Sequence, residues 1–225
     1  MLLKELLYVL ICTSISSAWG ALPVTVYYEA LCSDSVQFIT KQLYPNYRFF
    51  KDHLDIEFVP YGKAMHTFNA TSGKYKFSCQ HGREECLGNQ LHACALKQIK
   101  DKDTKINFIT CVMSAENPSG RYFIEECSKK YNIDFIKLIT CGVSDEGSKL
   151  LASNGDKTWN LEPNLYYVPT VVFNNSIQIN QEDQRNSLSN FKMTMCKKIL
   201  VESERPEVCN EIGLLERMRS FFSFR

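Results

Sequence analysis

An odd number of cysteines behind a secretory-type leader constrains this chain more than any other feature of its sequence. Lys4 precedes the apolar run Leu6-Leu7-Tyr8-Val9-Leu10-Ile11-Cys12, and Ala18 and Gly20 stand at −3 and −1 of a cleavage site before Ala21. Residues 1–20 are thus predicted to be a signal peptide, too short in its apolar part to span a bilayer. Of ten cysteines, Cys12 leaves with it. Cys32, Cys79, Cys86, Cys94, Cys111, Cys127, Cys141, Cys196 and Cys209 remain, and in an oxidising compartment most of them pair. Four bridges and one leftover thiol is the simplest partition, although eight paired cysteines allow about 105 connectivities. Cys196 with Cys209 is the one pairing expected, on order alone. The sequons Asn69-Ala70-Thr71 and Asn174-Asn175-Ser176 fit the same compartment, so Asn69 and Asn174 are candidate glycosylation sites. A net charge of +1 gives no sign of a nucleic-acid partner or a polybasic membrane patch.

Along the chain, residues 24–30 are β-branched and aromatic and read as a strand. Cys32-Ser33-Asp34-Ser35 then offers helix caps, and Val36, Ile39 and Leu43 recur at helical spacing up to Pro45, expected to end the helix. Leu54, Ile56 and Phe58 alternate with Asp55 and Glu57 as a half-buried strand does, which completes a β-α-β unit. From about 60 to 163 the pattern becomes short helices. Stripes occur at Leu87/Leu91/Ala95/Ile99, at Phe108/Ile109/Val112/Met113 and at Phe135/Ile136/Ile139, the last ending at Gly142. Six cysteines fall in this stretch, which reads as a disulfide-stapled, mainly helical insertion in one domain of residues 21–225. Val171-Val172-Phe173, a turn at 174–176, and Ile177 with Ile179 suggest a β-hairpin. Leu188–Leu200 carries a last helical pattern, and the tail ending Phe221-Phe222-Ser223-Phe224-Arg225 reads as a frayed or docked end or a membrane-touching one.

Cys32 stands where a strand feeds a helix. Unpaired N–H groups and the helix dipole there favour the thiolate, the nucleophile of disulfide exchange. The alternative is one more structural half-cystine. Val168-Pro169-Thr170 precedes the second β unit, where Pro169 is a candidate cis-proline beside the reactive sulfur, with backbone free to receive an extended substrate.

Residues 79–94 read C-Q-H-G-x-x-E-C-x-x-N-x-x-x-x-C, through Cys79, Gln80, His81, Gly82, Glu85, Cys86, Asn89 and Cys94. With Tyr28-Glu29-Ala30-Leu31-Cys32, Val59-Pro60-Tyr61-Gly62 and Val168-Pro169, this resembles the gamma-interferon-inducible lysosomal thiol reductase family over about Val24 to Cys209. The resemblance implies an α/β, thioredoxin-like fold carrying the insertion, and a thiol-disulfide oxidoreductase, secreted or endolysosomal. It implies disulfide-bonded protein substrates, low-molecular-weight thiols as partners and no bound cofactor. Cys79, His81, Cys86, His92 and Cys94 as a group would suggest zinc, but their spacing matches no usual finger, so no metal is expected. Reductases of that family carry C-x-x-C, whereas here Ser35 stands in the resolving place. A hydroxyl there can only donate a hydrogen bond to the Cys32 thiolate, which would still favour the thiolate, while Asp34 works against it. An external thiol, or return of the substrate thiol, must then release the mixed disulfide. The other outcomes are a protein that captures clients without turnover, and a scaffold that lost redox function.

Overall fold

The computed structural model describes residues 20–199 and 205–210. The predicted leader up to Trp19, Leu200 and the aromatic tail lie outside these residues. Three strands form the central sheet in the order β2-β1-β5: β1 (Leu22–Tyr28), β2 (Leu54–Pro60) and β5 (Thr170–Phe173). β1 and β2 run parallel, Val24 against Ile56 and Val26 against Phe58, while β5 runs antiparallel to β1. β1 is apolar on both faces because both are covered. Val24, Val26 and Tyr28 enter the main core, and Tyr27 enters a second cluster with Val59, Leu161 and Val172.

The crossover between β1 and β2 is helical over 33–50 and is termed α1. Pro45 does not end it. Phe38–Leu43 form a π turn, and Pro45 enters the first positions of the α segment that follows, Tyr44–Phe50. There its missing N–H costs nothing to the new segment, so the chain continues where a proline in regular α register would stop it. Phe38, Ile39, Leu43, Tyr47 and Phe50 carry the buried face.

Between β2 and β5 lie five helices: α2 (Arg83–Gln98), α3 (Lys102–Met113), α4 (Arg121–Lys130), α5 (Phe135–Gly142) and α6 (Asp145–Trp159). Side-chain caps start three of them: Asp101 for α3, Asp134 for α5 and Ser144 for α6 each accept an N–H of the first turn. Disulfides Cys94–Cys141 and Cys111–Cys127 tie α2 to α5 and α3 to α4. The expected stripes are partly corrected. Leu87 and Ile136 face solvent, and Leu91, Ala95 and Leu138 do the packing. The insertion also holds an unexpected antiparallel hairpin, β3 (Met65–Asn69) with β4 (Lys74–Ser78).

After β5 the turn forms, with Asn174 and Asn175 at φ +60° and +53°, but the expected hairpin does not. Residues 177–179 bond to Glu162 instead. The N–H of Val171 is taken at 2.7 Å by the carboxamide Oε1 of buried Gln184, from α7 (Gln181–Ser189). A side chain thus occupies the β5 edge where a returning strand would pair. The helical pattern over 188–200 is divided: Asn190, at φ −152° and ψ 81°, closes α7 and caps α8 (Phe191–Lys198). Cys196 of α8 is bridged to Cys209.

Candidate active site

Cys32 is the N-cap of α1, with an extended backbone at φ −73° and ψ 120°. Its carbonyl accepts the Val36 N–H at 3.0 Å and so begins the helix. β1 delivers the chain to this point. Its last residue pairs with Pro60, and the short bend Glu29–Leu31 turns the backbone into α1. Among the described residues Cys32 is the one cysteine outside a disulfide, and it is 9% exposed. No first-turn N–H is hydrogen-bonded to its sulfur, which little bulk water reaches.

Val168–Pro169 is a cis peptide, and β5 starts at the next residue. Because β5 runs antiparallel to β1, with Thr170 opposite Tyr27, this segment arrives beside the carboxyl end of β1. The Val168 carbonyl accepts from Cys32 Sγ at 3.8 Å. Gln184, 0% exposed, clamps the segment: Nε2 donates to the Pro169 carbonyl at 2.7 Å while Oε1 takes the Val171 N–H. Sequence reasoning missed Gln184, whose only signal was a polar residue on the inward side of a polar helix.

Ser35 is fully buried, and its hydroxyl accepts the Glu29 N–H at 3.4 Å. The expected hydrogen bond from Ser35 to the Cys32 sulfur does not form in this structure: Ser35 supports the bend below Cys32, and Sγ faces the Val168 carbonyl. Asp34 lies exposed in the first turn of α1.

Helix α2 carries the motif residues behind this bend. Asn89, fully buried, accepts the Ala30 N–H on Oδ1 at 2.8 Å, while its Nδ2 has no partner. His92, also fully buried, accepts from the Tyr28 hydroxyl on Nδ1 at 3.0 Å and faces the Pro118 carbonyl with Nε2 at 3.1 Å. A carbonyl only accepts, so Nε2 carries the proton and His92 is the neutral tautomer. Burial holds its pKa down at about 4, against a smaller upward pull from the Pro118 carbonyl. Burial likewise pushes Tyr28 well above its ordinary value. Glu85 Oε1 accepts the His81 backbone N–H at 3.0 Å, and Oε2 lies 2.6 Å from His81 Nδ1. Glu29 Oε1 accepts the Lys63 N–H at 2.7 Å. Burial raises the Glu29 pKa, opposed by that hydrogen bond and assisted by Glu85. Gly62, at φ +61°, permits this contact, since a Cβ there would fall 2.3 Å from Glu29 Cγ. The Tyr28–Cys32 and Val59–Gly62 segments and the C-Q-H-G motif thus converge on one side of the bend.

Cys79 is bridged to Cys86 and Cys94 to Cys141, so these cysteines present no thiolate to a metal. Gln80 is exposed, and Gly82 caps α2 at φ +85°, a conformation that suits glycine. Asn69 and Asn174 are both exposed and lie at turns.

Residues 23–131 match the family profile described as Gamma interferon inducible lysosomal thiol reductase (GILT). The chain is 34% identical over 223 residues to a gamma-interferon-inducible lysosomal thiol reductase-like protein of Anopheles gambiae, covering 94% of this chain and 90% of that one. It is also 34% identical to the gamma-interferon-inducible lysosomal thiol reductase of Carassius auratus, covering 90% and 78%. Among solved structures, Chlamydia trachomatis DsbA superposes with a TM-score of 0.57 at 12% identity, over 82% of this chain and 91% of that one. BdbD from Bacillus subtilis gives 0.51 at 14% identity, over 75% and 88%. The fold is thioredoxin-like with a mainly helical insertion. At this level of identity, sustained over most of both chains, the chain belongs to the gamma-interferon-inducible lysosomal thiol reductase family.

Proposed function

We propose that this protein is a thiol-disulfide oxidoreductase acting on protein disulfides through the single nucleophile Cys32, with an external small thiol completing the cycle and no bound cofactor. The observation that carries this is the pairing state of the cysteines: eight are bridged in four pairs, and Cys32 alone among the described residues is unpaired, at a helix N-cap beside Val168–Pro169. The Cys32 thiolate attacks one sulfur of the substrate disulfide. A mixed disulfide forms and the other substrate sulfur leaves as a thiolate, which takes a proton from solvent. With Ser35 three residues on, no second sulfur of this chain resolves it. A small thiolate attacks the substrate-linked bond and restores Cys32, and a second small thiol then frees the remaining substrate thiol. One substrate disulfide and two small thiols thereby become two substrate thiols and one small-molecule disulfide. Val168 and Pro169 line the groove in which an extended substrate would lie. Four disulfides fit the secretory pathway, and the sites of action proposed are the extracellular space or the endolysosome.

A second reading rests on Ser35 alone: a mixed disulfide without an internal resolver is a covalent grip, and the protein captures clients without turnover. Insulin-disulfide reduction at pH 4.5 and 7, with cysteine or dithiothreitol, separates the two. Wild-type turnover that vanishes in Cys32→Ala supports the enzyme. Turnover unaffected by Cys32→Ala ends it. No wild-type turnover, with Cys32-linked adducts and activity gained by Ser35→Cys, supports the capture protein, and the same result without adducts supports a scaffold that lost redox function.

A further inference from the structure

The cluster formed by Glu29, His81 and Glu85 is used by neither the nucleophile nor the disulfides. Each residue brings one ligand-capable atom to a common point, all three within 4.8 Å of one another. His81 Nδ1 lies 2.6 Å from Glu85 Oε2 and 3.6 Å from Glu29 Oε2. Both glutamate side chains are 0% exposed, whereas the His81 side chain is 40% exposed.

One atom in the cluster is unexplained. Glu29 Oε2 is buried and has no hydrogen-bond partner. Leaving a buried carboxylate oxygen unpaired is costly. The imidazole cannot serve it, because Nδ1 carries at most one proton and that proton is aimed at Glu85. The two carboxylates are also built alike. Glu29 commits Oε1 to the Lys63 N–H, and Glu85 commits Oε1 to the His81 N–H. Each is therefore oriented by backbone and turns its second oxygen to the same point, the arrangement in which outer hydrogen bonds fix metal ligands. Gly62 leaves the space that lets Glu29 reach it.

We propose that Glu29 Oε2, Glu85 Oε2 and His81 Nδ1 form a binding site for one divalent first-row cation of the zinc type. A set of one imidazole and two carboxylates suits such an ion. Ligand atoms around tetrahedral zinc stand roughly 3.3–3.6 Å apart, given bonds of about 2.0–2.2 Å. The observed 3.6 Å already fits that spacing, the 2.6 Å separation must open by about 1 Å to reach it, and the two glutamate oxygens lie within 4.8 Å of each other. The exposed edge of His81 gives the ion a way in and leaves a water position open. Bound there, the cation would fix Glu29, whose carbonyl accepts the Cys32 N–H at 3.4 Å.

The test titrates Zn²⁺ calorimetrically at pH 7 into the disulfide-intact chain carrying Cys32→Ser, so that no free thiol competes. One-to-one binding is expected, abolished by Glu29→Gln and weakened at least about tenfold by His81→Ala. Co²⁺ should give visible absorption bands of nitrogen and oxygen coordination that both variants lose. His81 is half-exposed, so its alanine variant stays folded, which circular dichroism checks. No Zn²⁺ uptake at millimolar concentration, or uptake unchanged by His81→Ala, overturns the site.

Discussion

Acid should weaken this protein through His92, by an amount the structure allows to be calculated. His92 is fully buried between the Tyr28 hydroxyl and the Pro118 carbonyl, and its pKa is held at about 4 against an ordinary 6.5. Between those values the unfolded chain binds a proton that the folded chain refuses, so stability is intact above about pH 6.5 and is lost as pH falls toward about 4. A tenfold difference in proton affinity between folded and unfolded chains is worth about 1.4 kcal/mol, so the whole window amounts to about 3 kcal/mol, and lowering pH from 7 to 5 removes about 2 kcal/mol. Full burial leaves no solvent screening to discount this figure. His92→Gln supplies a non-titrating acceptor and donor to the same two partners. Urea unfolding of both proteins with disulfides intact, followed by far-ultraviolet ellipticity at pH 7 and pH 5, isolates the histidine. All other titrating groups are common to both chains and cancel in the difference. Wild type should lose about 2 kcal/mol more than His92→Gln between the two pH values. Equal acid losses would refute the neutral, buried histidine.

Removing Cys94–Cys141, which closes a 47-residue separation, should destabilise the chain by about 4 kcal/mol, and removing Cys111–Cys127, which closes 16, by about 3 kcal/mol, measured by thermal unfolding of the double serine variants. Gly147→Ala drives a Cβ to 2.4 Å from the backbone carbonyl of Cys141, which cannot yield as a side chain would, and a loss of about 1–3 kcal/mol in urea unfolding is expected. Asn89→Ala leaves the buried Ala30 N–H unpaired, so stability should fall by about 1–3 kcal/mol and insulin-reduction turnover should fall with it.

The parts of this fold legible in the sequence are those whose reasons are local. β1 and β2 announce themselves by β-branched runs and period-two alternation, and Cys32 by its place between a strand and a capped helix. In the insertion the apolar stripes placed three helices but not where helices start; in the structure Asp101, Asp134 and Ser144 cap α3, α5 and α6. What was not legible depends on partners distant in sequence. The β3–β4 hairpin carries only a short half-buried face: Tyr75 and Phe77 alternate with exposed Lys74, Lys76 and Ser78, but across the turn Met65 and Phe68 are exposed, and His66 is placed by stacking on Trp159, at 4.3 Å between ring centroids. The π turn that carries α1 through Pro45 leaves no pattern to read. The missing strand after β5 traces to a glutamine on α7 that bonds the strand edge. Of the site, the cysteine, the proline and the motif were legible, whereas Glu29 and Gln184 were not, because their value lies in which backbone groups they meet.

The motif and the nucleophile are joined mechanically, and that bears on how a monothiol enzyme would survive its own reductant. α2 holds the bend before Cys32 through Asn89 on Ala30 and His92 on Tyr28, and α2 is itself fixed by Cys79–Cys86 and Cys94–Cys141. In the proposed cycle, a small thiol that regenerates Cys32 would meet those bridges too. Exchange requires in-line access of a thiolate to sulfur, so burial protects. Cys94 is 2% exposed and Cys127 4%, which shields one sulfur of each bridge spanning α2–α5 and α3–α4, while their partners Cys141 and Cys111 are half-buried. Cys79 is the least covered bridged cysteine of the motif, and its bridge closes only a seven-residue separation, where loss of the crosslink releases the least chain entropy. The shortest bridge thus sits where its reduction does least to the global fold, and the 47-residue bridge keeps α2, and with it the bend before Cys32, in place.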